Sequence, residues 1–224
     1  MAIKDWHEDE RPREKLLQKG AQSLSDSEIL AIFLRVGSKN KSAIELARDL
    51  INQFGSLAQL LSASSEEVMA CHGIGTAKYA QILASLEMGK RYLASQVKQS
   101  PALNSSQLVK DYLTTQLRPL KREVFAVLFL TNELTLIQFE TIFTGGISSC
   151  SVCVREVLRQ ALKYGASQLI IAHNHPNTSA LPSKADLDIT QSLAKACELV
   201  DMTLIDHIIV GQDETRSLKE MGKF

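Results

Sequence analysis

A short apolar run followed by two histidines constrains this chain more than any other feature. Residues 168–172 read Gln-Leu-Ile-Ile-Ala, which predicts a buried strand, and His173, Asn174, His175 and Pro176 follow at once. Two histidines at spacing two in extended backbone project to the same side. Pro176 then ends regular strand pairing, because it lacks an N–H and fixes its own φ. The two imidazoles are therefore expected together at the end of one buried strand.

A carboxylate follows this pair after a polar loop. Ser183 is predicted to be a helix N-cap, and Asp186 falls three residues later, in the first helical turn. Folding this helix back on the strand brings two imidazoles and one carboxylate together, which are ligand types that catalytic zinc sites use with a fourth position left for water. We therefore predict one zinc ion per chain, bound by His173, His175 and Asp186. The alternative is that Ser183 and Asp186 form only a variant capping box.

Composition bounds the class of protein. The chain has 224 residues, enough for one large domain or two small ones, and its 45% hydrophobic and 22% charged residues are ordinary for a globular protein. A formal net charge of zero means that any nucleic-acid binding must use a local basic patch. The charged N-terminus lacks the apolar core of a secretory signal, and no apolar run approaches a membrane span. We expect a cytoplasmic protein with reduced cysteines and no membrane partner.

The hydrophobic pattern divides the chain in two. Residues 1–100 carry helical spacing punctuated by serines and glycines, and the polar segment from Gln96 to Ser106 is the predicted linker. In residues 101–224, predicted strands alternate with helices, which indicates an α/β domain with helices against a mixed sheet. The predicted strands are 124–130, about 135–143, 168–172 and 202–210, and the tail 217–224 is predicted to be a turn or short helix.

A glycine-bracketed turn lies inside the helical part. Gly73, Ile74 and Gly75 separate a short helix from a longer one at about 77–94, and the arrangement resembles a helix-hairpin-helix element. Such elements present backbone N–H groups at a helix N-terminus to a DNA phosphate, and glycine keeps side chains out of its way. We expect weak DNA contact without sequence preference through Gly73, Gly75 and the basic Lys78. The alternative is an ordinary turn between packed helices.

The pattern H-x-H-P, six residues, S-x-x-D resembles the JAMM (JAB1/MPN) metalloprotease motif. With Pro182 before Ser183, and Asp206-His-Ile-Ile-Val-Gly211 further on, the chain resembles the RadC family from about Arg13 to Phe224. The resemblance implies the JAB1/MPN fold, similar to the cytidine-deaminase sandwich, behind a helix-hairpin-helix domain. It also implies a zinc metallopeptidase acting on a peptide or isopeptide bond of a peptide or protein substrate. The rival interpretation is a DNA-binding accessory protein of repair or recombination whose metal site is structural or vestigial.

The same resemblance assigns catalytic roles. JAMM sites use a glutamate just before a central strand as general base, and the matching residue here is Glu123, which otherwise would be an exposed acid in a charged run. It implies that the Ser183 hydroxyl donates to the developing oxyanion, as well as capping its helix. Glu156 is the competing acid. His207 is expected to be structural or to support the ligands, as opposed to being a third histidine ligand.

Several residues depart from family or motif patterns. Cys150 and Cys153 form a CxxC, but no second pair exists, no H-x-E occurs and the pair precedes the histidines, so we reject a deaminase and take them as incidental thiols. Asn177-Thr178 stands where the RadC family usually has Ser-Gly. This change touches no predicted ligand but lies in the loop beside the metal.

Overall fold

The computed structural model describes residues 6–99, 106–145 and 153–223. Contacts between Cα atoms divide the chain into two compact units, Met1–Gly89 (the N-terminal unit) and Lys90–Phe224 (the C-terminal unit). The predicted linker is still helical from Gln96 to Gln99, and residues 100–105 lie outside the described part. The predicted boundary near residue 100 stays a prediction.

The N-terminal unit is built from helices. They are α1 (Pro12–Lys19), α2 (Asp26–Leu34), α3 (Ala43–Phe54), α4 (Leu57–Ser62), α5 (Ser65–Met69) and the start of α6 (Thr76–Gln99), with short 3-10 turns at Glu8–Glu10 and Ala21–Ser23. Serine side chains begin four of the helices by accepting a backbone N–H of the first turn: Ser25, Ser42, Ser56 and Ser64. The predicted starts at Ser25, Ser42 and Ser64 are confirmed, because these caps are local in sequence.

The C-terminal unit is a mixed sheet with helices on both faces. Its elements are α7 (Ser106–Leu117), β1 (Val124–Leu130), β2 (Leu136–Thr144), α8 (Val154–Tyr164), β3 (Gln168–Asn174), α9 (Lys184–Glu198), β4 (Thr203–Val210) and β5 (Thr215–Ser217). The strand order is β2-β1-β3-β4-β5, in which only β3 and β4 run parallel. The predicted fold, a helical part followed by an α/β part with a mixed sheet, is confirmed.

Alternate residues of the central strands pack against opposite helices. Ala126, Leu128 and Leu130 of β1 share a buried cluster with α7, whereas Phe125, Val127 and Phe129 share one with α8 and α9. Every residue of β1 is buried, as expected for a strand covered on both faces. The face toward α8 and α9 is the one on which His173 lies.

One strand was not predicted. The turn predicted for the tail is present at residues 218–222, but Thr215–Ser217 just before it forms β5, antiparallel to the end of β4 with Val210 opposite Thr215. Three residues are too few to show a hydrophobic period, so only the pairing with β4 defines this strand. Within the described ranges, no helix has the length and apolar character needed to span a bilayer.

Candidate metal centre

Strand β3 delivers both histidines to one end of the sheet. His173 is fully buried and pairs with Phe125 of β1 on one side and Ile209 of β4 on the other. The chain leaves the sheet at His175, whose backbone N–H still donates to the Val210 carbonyl at 2.8 Å. The two Nε2 atoms lie 2.9 Å apart, as the spacing of two predicted.

Asn174, between the histidines, points to the other face and holds the chain that leads into β1. Its Oδ1 accepts from the Val124 N–H at 2.8 Å, and its Nδ2 donates to the carbonyls of Leu120 and Arg122 at 3.1 Å each. The amide is 1% exposed, so these bonds replace bonds to water. The segment that ends at Glu123 is thereby fixed against the end of β3.

Strand register then sets the position of Glu123. Phe125 pairs with His173 in the antiparallel β1–β3 ladder. Because the strands are antiparallel, Glu123, two residues before Phe125, lies opposite His175, two residues after His173, on the same face. Ligand atoms of Glu123, His173 and His175 all lie within 4.8 Å of one another, which makes them a candidate metal-binding group. Glu123 is half-buried, unlike the exposed acid that the charged run alone suggests.

Helix α9 brings Asp186 to the same point. Ser183 is its N-cap and forms a capping box with Asp186, so the predicted cap is confirmed. Oδ2 of Asp186 accepts from both the backbone N–H and the hydroxyl of Ser183, each at 2.7 Å, while Oδ1 lies 3.2 Å from Nε2 of His173. The two interpretations of this motif are compatible, because Oδ2 serves the cap while Oδ1 faces His173.

The separations of the facing atoms suit a four-coordinate cation. From His173 Nε2 they are 2.9 Å to His175 Nε2 and 3.2 Å to Asp186 Oδ1, and from His175 Nε2 to Asp186 Oδ2 the distance is 3.8 Å. A tetrahedral zinc with bonds of about 2.0–2.2 Å separates its ligands by roughly 3.3–3.6 Å. Within the described residues, the ion-pair partners of the Asp186 carboxylate are these two histidines.

The loop after β3 orients His175. Its Nδ1 donates to the Ser179 carbonyl at 3.0 Å, because a carbonyl only accepts, and this leaves Nε2 free to face the site. Asn177 has a φ of +62°, a conformation that asparagine tolerates better than most residues. Gly211 lies so close that a Cβ there would be 2.6 Å from the Ala180 nitrogen. Ordinary turn chemistry therefore accommodates the departure at 177–178 from the family pattern.

Burial keeps the inner histidines neutral. Desolvation lowers the pKa of His173 to about 4, against the opposing attraction of Asp186. Burial likewise holds the pKa of His207 well below its ordinary value. An uncharged imidazole is the form that binds a metal, so His173 is ready for coordination at neutral pH.

The remaining candidates take other positions. Nε2 of His207 lies 2.8 Å from Nδ1 of His173, the ring nitrogen that does not face Asp186 and His175. His207 therefore contacts a predicted ligand without facing the candidate metal position. Glu156 forms a bidentate ion pair with Arg159, at 2.6 and 2.9 Å. Cys150 lies outside the described residues. Sequence reasoning missed Asn174 and Thr190, and no local pattern marks either as part of a site.

The glycine turn of the N-terminal unit joins α5 to α6 as predicted. Gly73 has a φ of +88°, and a Cβ there would lie 2.6 Å from the Ser38 Cβ, so this glycine is needed by the fold itself. A Cβ at Gly75 would meet nothing within 4 Å. The Lys78 ammonium donates to the carbonyls of Gly37 and Gly73 at 2.8 Å each, and burial lowers its pKa. DNA contact by these residues stays a prediction.

Known proteins match both parts of the chain. A family profile described as RadC-like JAB domain matches residues 103–223, and one described as UPF0758 N-terminal matches residues 3–80. A UPF0758 protein of Psychrobacter cryohalolentis is 69% identical over 98% of this chain and 97% of its own length. UPF0758 proteins of Aeromonas hydrophila and Acidithiobacillus ferrooxidans are 51% and 52% identical, each over 99% of both chains.

Proposed function

The chain belongs to the RadC-like JAB family, and from its site we propose that it is a zinc-dependent hydrolase that cleaves a peptide or isopeptide bond. The observation that carries the proposal is the convergence of His173, His175 and Asp186 with Glu123 beside them. These groups come from β3, α9 and the segment before β1, so their meeting is a property of the fold. A peptide or protein is the substrate class, since the chemistry acts on an amide carbonyl.

The ligand set assigns the metal roles. His173 and His175 would each offer Nε2, and Asp186 would offer Oδ1 while Ser183 holds its other oxygen. When bound, zinc lowers the pKa of a coordinated water to about 7 and polarises a carbonyl. We prefer Asp186 to Glu123 as the third ligand, because Oδ1 of Asp186 is 3.2 Å from a histidine nitrogen and already oriented by its cap.

In this assignment Glu123 transfers protons and does not bind the metal. Placed opposite His175, its carboxylate accepts the proton of the attacking water and returns it to the leaving amine. The Ser183 hydroxyl now donates to Asp186, so to serve an oxyanion it must turn away from Oδ2, which keeps the Ser183 backbone N–H. The general base and the oxyanion donor are thus on different elements from the two histidines.

Glu123→Gln tests the proposal. The variant keeps the shape of the side chain and removes its basicity, so hydrolysis of quenched-fluorescence peptide and isopeptide substrates should fall by about a hundredfold or more. Zinc content, measured by elemental analysis, should stay near one per chain. Asp186→Ala should instead lower both zinc content and activity.

Glu156→Gln is the matched control, because that acid is engaged by Arg159. Full turnover in Glu123→Gln would show that another residue is the base. Zinc retained by the double variant His173→Ala/His175→Ala would show that the ligands lie elsewhere. Failure of the zinc-loaded parent to cleave any member of the substrate panel would contradict the hydrolase itself.

We also propose that the N-terminal unit binds the DNA backbone at the α5–α6 turn, a function of a different class. The supporting observation is Gly75, whose Cβ position is open at the start of α6, where helix N–H groups lack intrahelical partners. Binding should be weak and should decline with salt along a shallow slope.

Gly75→Leu tests this second proposal in the full chain, with fluorescence anisotropy of a labelled duplex as readout. The added side chain should weaken binding by blocking the phosphate. Gly89→Leu is the matched control, because its Cβ also meets open space, in the middle of α6. Equal binding by both variants, or binding insensitive to salt, would contradict the proposal.

A further inference from the structure

A buried chain of hydrogen bonds leaves the site through His207. Nδ1 of His173 lies 2.8 Å from Nε2 of His207, whose Nδ1 lies 2.6 Å from the Thr190 hydroxyl. That hydroxyl donates to the backbone carbonyl of Asp186 at 2.5 Å. All four residues are at most 1% exposed. The chain therefore starts on one predicted ligand and ends on the backbone of another, with no competition from solvent.

The last bond sets the direction of every other one. Two oxygens 2.5 Å apart must have a proton between them, and a carbonyl only accepts, so the Thr190 hydroxyl is the donor. Its oxygen must then accept from His207, which places a proton on Nδ1 of that ring. A neutral imidazole has one N–H, so Nε2 of His207 is an acceptor and Nδ1 of His173 is the donor to it.

From this ordering we propose that His207 and Thr190 are positioning residues that hold His173 in the tautomer whose Nε2 lone pair faces Asp186 and His175. The proposal rests on the proposed metal function. In the opposite tautomer, His173 would present an N–H to the cation and could not bind it. The Phe125 ring makes an edge contact with the His207 imidazole, 6.2 Å between centroids, and so restrains the orientation of that imidazole.

The fold explains why His207 is the hydrogen-bond partner of His173. Nδ1 of His173 faces His207 of β4. Ile209 is the ladder partner of His173, and His207 lies two residues before it, on the same face of the sheet. Thr190 lies one helical turn after Asp186, where a threonine hydroxyl reaches the carbonyl four residues earlier. Helix α9 thus supplies both a predicted ligand and the acceptor that orders the two histidines.

Thr190→Val and Thr190→Ser provide the test. Valine has nearly the shape of threonine but lacks the hydroxyl, so His207 loses the acceptor for its Nδ1–H, and both rings are released to the other tautomer. Serine keeps the acceptor. Zinc affinity, measured by competition with a chromophoric chelator, should fall about 10- to 100-fold in Thr190→Val and remain within about threefold of the parent in Thr190→Ser.

A second readout uses metal-free protein and needs no activity. Imidazole nitrogen NMR of the parent should show the proton on Nδ1 in both His173 and His207, and Thr190→Val should lose this pattern. Because this measurement involves no metal, it determines the tautomer even if the parent binds no zinc. A parent that binds no zinc would contradict the proposed function, and the tautomer would still be measured.

A second pair of variants guards against misfolding of the helix. The side-chain oxygen of His207→Gln can still accept from His173, whereas His207→Leu cannot, so zinc affinity should be retained in the first and lowered in the second. A proton on Nε2 of His207 in the parent, or unchanged zinc affinity in either Thr190→Val or His207→Leu, would overturn the proposal.

Discussion

In the N-terminal unit, Ser42 begins helix α3 by bonding Glu45, three residues away, whereas in the C-terminal unit Asn174 bonds the backbone of Val124, fifty residues earlier. The same contrast separates the Ser25 and Ser64 caps from the contact of His173 with His207. Short-range bonds define where helices start, and long-range bonds define the candidate metal centre. A recognisable local motif therefore need not reveal the long-range contacts that support a site.

The Ser183–Asp186 pair takes part in both short-range and long-range contacts. They form a capping box like those of the N-terminal unit, yet the free oxygen of Asp186 faces a histidine from another element. A capping box between residues three apart thus orients the Asp186 carboxylate toward His173, which lies on another element. Acidification and substitutions at Asn174 and Ser42 test the distinction between the two kinds of contact.

Acidification should destabilise the C-terminal unit most. Burial lowers the pKa of His173 to about 4, from about 6.5 in the unfolded chain, so the unfolded state binds more protons between these values. The stabilisation from the neutral ring is present above pH 6.5 and is lost as pH falls toward 4, by about 3 kcal/mol. The lowered pKa of His207 acts in the same direction.

Amide exchange of metal-free protein at pH 7.5 and 4.5, corrected for the intrinsic exchange rate at each pH, checks this prediction: the opening free energy should fall more in β3 than in α3. His173→Gln should reduce the pH dependence, whereas His72→Gln, a change at an exposed histidine, should leave it unaltered. An equal fall of the opening free energy in β3 and α3 would mean that the buried histidines do not dominate the pH dependence.

Asn174→Ala should cost the next largest amount. It removes the acceptor of the buried Val124 N–H and the donor to two carbonyls, and a buried unsatisfied group costs about 1–3 kcal/mol. Urea unfolding should therefore show a loss of about 2 kcal/mol. The Asn174 amide holds the backbone segment that leads to Glu123 and does not contact the predicted ligands through its side chain. Zinc content should therefore stay unchanged while hydrolysis falls.

Asn132→Ala, at an exposed turn residue, is the control for Asn174. Unchanged stability in Asn174→Ala would show that the hydrogen bonds of the Asn174 amide are dispensable for folding. Loss of zinc together with activity would place Asn174 in the metal set and not in the support of Glu123.

Ser42→Ala should have the smallest effect. It removes the side chain that accepts from the Glu45 N–H and leaves a helix start without its cap, at a cost of about 1 kcal/mol. Urea unfolding measures the loss, and Ser42→Asp should recover most of it, since aspartate caps equally well. A change of more than threefold in zinc affinity would refute the view that this cap is local.

Elements with strong local signals were predictable. The boundaries of β1 match the predicted 124–130, and the second strand differs from prediction by one residue at each end. Both strands carry a bounded apolar or alternating pattern, and Ser42 carries the signature of an N-cap. The meeting of His173, His175 and Asp186 was also expected, because strand spacing and helix capping are themselves local rules.

The strand β5 and the partners of Asn174 and His207 were not predictable. Their contacts join residues far apart in the chain, and the position of Glu123 depends on the register of β1 against β3. A slip of one residue would move its side chain to the other face of the sheet. Local sequence patterns were sufficient to predict the helix starts, the apolar strands and the ligand types. Which atoms face one another depends on the packed fold, because strand register and burial arise only when distant segments pack.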